Sequence, residues 1–236
     1  MMKEKEKEKQ TGRGLKEHTY QILKERLVDC IYPPGSLLNE AQLAQDLELS
    51  RTPIREAISK LEMDGFIKIL PKKGIYVTDI TFNDVHQVFQ ARIEIEPIAL
   101  RLSGPRLPKD ELAAFCHKFQ EPVTDIHNSF RLDTAMHLFI IEHCGNRYII
   151  DMMRRVFEEN TRIIISSRQN QLQIHDAKEE HLNILNLLIH DKYEEAEAAM
   201  RIHIDSCRKA ALDYFYSSQI YTTVSDNAYK KELEKL

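Results

Sequence analysis

The sequence is poor in the residues that interrupt regular structure and in those that cross-link small folds. Only seven of its 236 residues are glycine and eight are proline, which disfavours a loop-rich β fold and favours long helices. The four cysteines are widely scattered and form no C-x-x-C pair, so neither a zinc knuckle nor a thioredoxin-like redox motif is indicated. We expect these cysteines to be reduced core residues.

Long apolar runs are also missing. No stretch approaches the roughly 20 apolar residues of a membrane span. The first residues, MMKEKEKEKQ, are charged where a signal peptide needs an apolar run. The composition, 42% hydrophobic and 30% charged, is typical of a soluble globular protein. We therefore expect a cytoplasmic protein without a membrane partner.

The net charge of −4 argues against a uniformly basic, nucleic-acid-coating surface. Its distribution along the chain is uneven. Residues 1–79 carry 14 Lys or Arg against 13 Asp or Glu, whereas the remainder carries 19 against 24. Only the N-terminal part, which has the slight positive excess, can easily approach phosphates.

Three helical segments follow one another in the N-terminal part. Apolar residues keep helical spacing from Leu15 to Cys30, and a Pro-Pro-Gly turn then ends the helix. Asn39 is a suitable cap for a second, short helix, and Ser50 is a suitable cap for a third. The third helix has one apolar face and one basic face.

A hairpin completes this part. Residues 66–70 and 75–78 have the pattern of two strands around the turn Pro-Lys-Lys-Gly. Three helices and a hairpin predict a winged helix-turn-helix domain over 13–79. The alternating Lys and Glu at the start offer nothing to bury, so we expect a disordered tail over 1–12.

Helical periodicity recurs beyond residue 81, without a second strand pattern. The spacing predicts helices over 82–103, 109–120, 128–143, 147–168, 173–190 and 193–216. Six antiparallel helices form a bundle, here over 82–217. The apolar stripe is lost afterwards, which predicts a C-terminal tail over 218–236. The expected fold class is therefore mainly α, a winged helix-turn-helix followed by an all-helical bundle.

The third helix carries residue types that read DNA. The major groove admits one helix, whose first residues reach base edges while flanking donors bind phosphates. Arg51, Thr52 and Arg55 lie at that end of the helix. Lys73 and Gly74 lie at the tip of the hairpin, where they can enter the neighbouring minor groove. A solvated, Arg-rich helix face with an ordinary hairpin is the alternative that these residues leave open.

A second group of residues has the pattern of a metal site. Asp133 and His137 are four residues apart on one helix and project from one face. His181 and His203 lie on the last two helices among Leu and Ile that should face the core. One carboxylate and three imidazoles suit zinc, nickel, manganese or iron(II). The alternatives are hydrogen-bonded core histidines and a plain helix-surface pair.

The run PPGSLLNEAQLAQDLELSRTPIREAISKLEMDGFIKILPKKGIYV closely resembles the winged-helix signature of GntR-family regulators. The resemblance spans about residues 15–79. It implies that operator DNA is contacted by Arg51, Thr52, Arg55 and Gly74. Lys73 stands beside Gly74, at the position where many relatives have arginine. The lysine preserves the attraction to phosphates, but the sequence does not decide whether it reads bases in the minor groove.

The second half resembles the FCD ligand-binding domain, the usual partner of this winged helix in the FadR branch of the family. The motifs are AR-x-x-x-E from residue 91, D-x-x-x-H from 133, GN at 145–146, EH-x-x-IL from 180 and M-x-x-H from 200. They imply a metal bound by Asp133, His137, His181 and His203. Six helices rather than seven is similar to the VanR-like subgroup.

The same resemblance implies a small acid as effector. Four protein ligands leave open positions in an octahedral shell of a divalent cation, and an open cation inside an apolar bundle attracts a carboxylate or a hydroxy acid. Arg92 would clamp this acid, and Arg162 and Asn146 are further candidates. The residues alone leave open a salt bridge for Arg92 and a helix cap for Asn146.

These expectations combine into a homodimeric repressor that binds a near-palindromic double-stranded operator and responds to an organic or sugar acid at a zinc site. One alternative is a metal-dependent enzyme acting on a small acid, but no motif singles out a general base beside the metal, so we do not expect one. The other alternative is a regulator whose metal only holds the bundle together.

Overall fold

The computed structural model has two compact units, Met1–Ile80 and Thr81–Leu236. It describes residues 2–122, 126–168 and 177–233, with side chains over 14–122, 128–167 and 177–215. The mainly helical fold predicted from the sequence is confirmed. No helix among the described residues is long and apolar enough to cross a membrane.

The first unit combines three helices with a small antiparallel sheet. Its elements are α1 (Met2–Val28), β1 (Leu37–Leu38), α2 (Glu40–Asp46), α3 (Arg51–Met63), β2 (Ile67–Leu70) and β3 (Gly74–Val77). The strand order is β1-β3-β2, so Ile75 of β3 pairs with Leu38 on one side and with Ile69 on the other. β1 is not predicted by the sequence pattern, because a two-residue strand shows no alternation.

Caps and turns set the limits of α2 and α3. The Asn39 side chain accepts a hydrogen bond from the Ala41 amide at 2.8 Å and so begins α2. Ser50 has the extended backbone of an N-cap, but within the described chain its hydroxyl makes no capping hydrogen bond. α3 ends at Met63, and Gly65 follows with φ +89°, a conformation that glycine adopts without strain.

One apolar core holds the first unit together. The buried face of α3, including Ile54 and Leu61, shares this core with Leu23 and Leu27 of α1 and with Val77 of β3. Burial of each such side chain stabilises the fold by about 1.5–3 kcal/mol. Because this face is committed to the core, the opposite face of α3 remains at the surface.

The second unit is a helical bundle. Its helices are α4 (Phe82–Ser103), α5 (Lys109–Gln120), α6 (Ile126–Glu142), α7 (Arg147–Arg168), α8 (Lys178–Ile189) and α9 (Tyr193–Leu233), with a short 3-10 turn at Gly104–Arg106. These are the six helices that the sequence predicted. The predicted start of the fifth, over 173–176, lies outside the described residues.

Both ends of the chain differ from the expectation. α1 begins at Met2, where the pattern predicted a disordered tail over 1–12, and α9 continues to Leu233, through most of the predicted tail over 218–236. No glycine or proline interrupts α9, so nothing local ends that helix.

α4 packs on α6, α7 and α9. It starts at a capping box in which Thr81 and Asp84 bond each other's backbone amides. Pro97 lies inside α4 and cannot donate to the carbonyl of Ile93, four residues earlier. Arg201 of α9 donates to that carbonyl instead, at 2.9 Å. The interrupted hydrogen bond of α4 therefore becomes a contact between α4 and α9.

We expect Gly74→Ala to open the edge of the sheet. Gly74 has φ +121°, and a Cβ atom there would lie 2.7 Å from the carbonyl oxygen of Leu38. Backbone strain and this clash together should cost about 2–4 kcal/mol. Hydrogen exchange at the amides of Gly35 and Val77, which bond across the β1 edge, should accelerate strongly. Gly65→Ala is the control, because its φ is also positive but nothing lies near the added Cβ; equal acceleration in both variants would contradict the steric argument.

Candidate metal centre and DNA-contacting surface

The four predicted metal-ligating residues meet inside the second unit. Asp133 and His137 project from α6, His181 from α8 and His203 from α9. One ligand atom from each lies within 4.8 Å of all the others. The three imidazoles are buried and Asp133 is partly buried. The structure thus brings together residues that are up to 70 positions apart in the sequence.

All three histidines present the same ring nitrogen to this centre. Nε2 of His203 lies 3.2 Å from Nε2 of His137 and 3.2 Å from Nε2 of His181. Oδ1 of Asp133 lies 2.9 Å from Nε2 of His181 and 3.8 Å from Nε2 of His137. The four donor atoms therefore surround a space that is about the size of one atom.

Two carboxylates behind the centre set the orientation of two of the rings. Oε2 of Glu96 lies 2.6 Å from Nδ1 of His137, and Oε2 of Glu180 lies 2.8 Å from Nδ1 of His203. A carboxylate in this position accepts the Nδ1 proton of a neutral imidazole and leaves the Nε2 lone pair facing the centre. The sequence motifs contained Glu96 and Glu180, but spacing alone did not assign them a partner.

The pKa values of three groups at the centre differ strongly from those of free side chains. Burial lowers the pKa of His203 to about 4, against the opposing effect of Glu180. Burial opposes the charge of Glu96, but Arg92 and His137 outweigh it and lower the pKa to about 2. In the same way the hydrogen bond and the electrostatic interaction with His181 outweigh burial and lower the pKa of Asp133. Near neutral pH the centre therefore holds carboxylates together with a neutral His203.

This donor set fits a divalent transition metal. With a proton on Nδ1 of both His137 and His203, two Nε2 lone pairs face each other at 3.2 Å, which is unfavourable unless a cation lies between them. Three imidazole nitrogens and one carboxylate oxygen are ligands that zinc, nickel, manganese and iron(II) accept. The Cys207 thiol lies 3.8 Å from Nε2 of His203, but burial raises its pKa to about 12, so it stays protonated.

Arg92 lies beside the centre in a buried polar network. Its Nε donates to Oε1 of Glu96 at 2.5 Å, and its Nη1 donates to Oδ1 of Asn160 on α7 at 2.9 Å. Nη2 of Arg92 and Nδ2 of Asn160 have no hydrogen-bond partner among the described residues. Two buried N–H donor groups thus belong to side chains that are hydrogen-bonded to each other, and such donors suit a carboxylate. Sequence reasoning missed Asn160, since a single asparagine on a long helix gives no signal.

The other two candidates for effector binding, Arg162 and Asn146, lie in different surroundings. Arg162 is 2% exposed and its Nη1 donates to Glu159 at 2.9 Å. Asn146 is exposed, and its Oδ1 accepts from the amide of Tyr148 at 3.0 Å. Asn146 therefore caps the start of α7 through its oxygen, and its role in effector binding stays a prediction.

The predicted DNA-contacting residues lie at the surface of the first unit. Arg51 and Thr52 are exposed and form the first turn of α3. Arg55 follows one turn later, and its Nε donates to Oε2 of Glu40 at 2.8 Å. Lys73 is exposed in the turn between β2 and β3, directly before Gly74. Glu40 was not singled out from the sequence.

Comparison with known proteins decides the family. The FCD domain family matches residues 87–206, just over half of the chain, and the family of bacterial regulatory proteins called gntR matches residues 15–77. The chain belongs to the GntR family and carries an FCD domain. It is a DNA-binding transcriptional regulator with an effector-binding domain, not an enzyme.

Individual relatives agree with this assignment. The uncharacterised regulator YdhC of Bacillus subtilis (strain 168) is 31% identical over 143 residues, which are 58% of this chain but only 64% of YdhC. The Nta operon transcriptional regulator of Aminobacter aminovorans is 26% identical over 205 residues, 84% of this chain and 96% of the relative. The solved structure of Escherichia coli McbR/YncC has a TM-score of 0.72 at 18% identity, over 87% of this chain and 98% of its own, and supports the fold.

The lowered pKa of His203 predicts acid instability of the metal-free regulator. A histidine with a pKa of about 4 when folded and about 6.5 when unfolded stabilises the fold fully above pH 6.5, and this contribution is lost as the pH falls towards 4. The loss is up to roughly 3 kcal/mol. Urea unfolding in the presence of a chelator, between pH 7.5 and 4.5, should show it.

His203→Gln should flatten this slope, whereas the same change at the exposed His190 should leave it intact. Glu96 and Asp133, whose pKa values are also lowered, act mainly below pH 4.5 and therefore stay outside the measured window. The assignment to His203 fails if wild type and His203→Gln lose stability in parallel.

Proposed function

We propose that this GntR regulator is a homodimeric repressor whose operator affinity is controlled by a small carboxylic or sugar acid bound at a metal site. In this proposal 13–79 is the DNA-binding domain and 82–217 the effector domain. The observation that carries it is the convergence of Asp133 and three imidazoles within 4.8 Å, in a domain of a family that binds effectors.

Zinc is the metal that we propose, held by Asp133, His137, His181 and His203. Nickel, manganese and iron are compatible with the same ligands. When bound, the metal supplies a Lewis acid with open positions for a carboxylate oxygen. The carboxylates of Glu96 and Glu180 keep two of the imidazoles oriented, which is the usual way in which proteins adjust the basicity of such ligands.

Arg92 and Asn160 are the residues that we propose to bind the acid. Each has a buried N–H group without a partner among the described residues, and a group of this kind costs free energy until something accepts from it. Glu96 joins Arg92 to the metal ligand His137 through its two oxygens. One acid can thus contact both the metal and this donor pair. Arg162 lies on α7, the helix that also carries Asn160, but its Nη1 already donates to Glu159.

Operator DNA is read by α3 and the hairpin in this proposal. Arg51, Thr52 and Arg55 lie in the major groove, while Lys73 and Gly74 approach the neighbouring minor groove. A homodimer presents two such surfaces to a near-palindromic operator, because the symmetry of the protein is repeated in the half-sites. Occupation of an operator blocks the promoter, and release by the acid restores transcription.

The connection between the two sites runs along the chain through α4. α4 begins at Phe82, two residues after the first unit ends at Ile80, and it carries both Arg92 and Glu96. Acid binding at Arg92 therefore acts on the helix that directly follows the DNA-binding domain. A coupling of about 1–3 kcal/mol changes operator affinity by roughly 5–150-fold, so a small shift is sufficient.

Zinc binding tests the metal site. We expect wild type to bind one zinc ion per chain in competition with a chromophoric chelator, and His181→Ala to bind it at least roughly 100-fold more weakly because one of four ligands is lost. His190→Ala is the matched control, since His190 is exposed and bonds only to the carbonyl of Asn186. Equal affinity in both variants would contradict a site at His181.

Release from DNA by acids tests the regulatory function. An operator selected from random duplexes is bound by zinc-loaded protein and titrated with a panel of organic and sugar acids, with fluorescence anisotropy as the readout. One acid should release wild type by roughly 5–150-fold in affinity, whereas His181→Ala and Arg92→Lys should respond at least tenfold less. The metal is structural if no acid acts and zinc removal lowers only the melting temperature.

A further inference from the structure

Arg55 on α3 is held by an acidic residue of the preceding helix. Its Nε donates to Oε2 of Glu40 at 2.8 Å. Glu40 is the first residue of α2, and the side chain of Asn39 fixes the start of that helix. The pair therefore joins the two helices of the helix-turn-helix through side chains that are 15 positions apart.

The pair lies at the surface, where it does little for stability. The side chain of Arg55 is 65% exposed and that of Glu40 is 38% exposed. Exposed ion pairs commonly contribute less than about 1 kcal/mol to folding, because water and salt screen them. The main consequence of the contact is geometric: it restricts the rotamers of Arg55.

The contact also determines which edge of the guanidinium remains available. The hydrogen bond engages Nε, so the edge formed by the two terminal nitrogens is left for another acceptor. Two parallel N–H donors of this kind match O6 and N7 of guanine in the major groove. Arg55 is thus ordered before DNA arrives, with its bidentate edge outside the contact to Glu40.

We propose that Glu40 is a positioning residue for operator recognition, because it holds Arg55 in the conformation that reads one base pair of each half-site. The inference rests on the proposed DNA contacts of α3. An arginine that is already ordered loses less side-chain entropy on binding, and because the contact that orders it is weak, the saving corresponds to roughly 2–5-fold in affinity per half-site. A matched base is thereby favoured, whereas a mismatched base gains nothing.

A purely electrostatic role of Glu40 would have a different effect. Glu40 carries a negative charge close to the DNA-contacting surface, so its removal on charge alone strengthens binding to every sequence by the same factor. A positioning role instead determines the ratio of operator affinity to non-specific affinity. The two roles therefore change different measured quantities.

The experiment uses full-length protein and an operator that wild type selects from a random duplex pool. Affinities for this operator and for a scrambled duplex are measured by fluorescence anisotropy at one salt concentration. The variants are Glu40→Ala, Glu40→Gln, Arg55→Ala and the Glu40→Ala, Arg55→Ala double variant. Glu56→Gln is the matched control, because Glu56 is an exposed glutamate on α3 that pairs with Lys16 of α1.

We expect Glu40→Ala to lower the specificity ratio by roughly 2–5-fold per half-site, although it binds scrambled DNA more tightly. Glu40→Gln should retain most of the ratio, since its amide oxygen still accepts from Nε. In the Arg55→Ala background the change at Glu40 should leave the ratio unaltered, as should Glu56→Gln in wild type. Duplexes selected from the random pool by Glu40→Ala should show no base preference at one position of each half-site. Duplexes selected by Arg55→Ala should lose their preference at that same position.

Two results would overturn the inference. Equal strengthening of both affinities by Glu40→Ala would make Glu40 a charge without a positioning role. A loss of ratio that persists in the Arg55→Ala background would show that Glu40 acts independently of Arg55. If wild type itself enriches no sequence from the pool, the proposed operator recognition is refuted first, and this inference with it.

Discussion

The buried ion pair of Arg92 and Glu96 is the interaction on which the effector domain depends. Both side chains are about 1% exposed, and each buried ion costs several kcal/mol unless it is paired and fully hydrogen-bonded. Glu96 meets this demand with both oxygens, one for Arg92 and one for His137. Asn160 then accepts from Arg92. Three helices, α4, α6 and α7, are therefore held by one polar network, and removal of any charged member leaves another buried charge without compensation.

This network explains why the histidines meet in a defined orientation. An imidazole on an apolar helix face has two equivalent ways to place its nitrogens, and a carboxylate behind the ring selects one of them. Glu96 does this for His137 from α4, and Glu180 does it for His203 from α8. The candidate ligand set is thus organised by two glutamates that are not part of it, and its geometry depends on the packing of all the helices involved.

The bundle and the winged helix each contain an arginine–glutamate ion pair, and the two pairs lie in opposite environments. In the bundle, Arg92 and Glu96 are buried, so their attraction is strong and position and charge are fixed together. In the winged helix, Arg55 and Glu40 are exposed, so their contact adds little stability and mainly restricts rotamers. α4 belongs to the first environment and begins next to the DNA-binding unit. The buried pair therefore lies on the helix that directly follows the winged helix in the chain.

The sequence by itself determined the helices of the bundle, the winged helix and the four candidate metal-ligating residues. Hydrophobic periodicity acts within a few residues, so it is visible in the chain, and the spacing of Asp133 and His137 places both on one helix face. Only the tertiary structure decided the partners of Glu96, Glu180 and Glu40, the buried place of Asn160, and the role of Asn146 as a cap. The physical reason is that local patterns specify a helix and its faces, whereas the meeting of two side chains depends on the rotation and packing of elements far apart in the sequence.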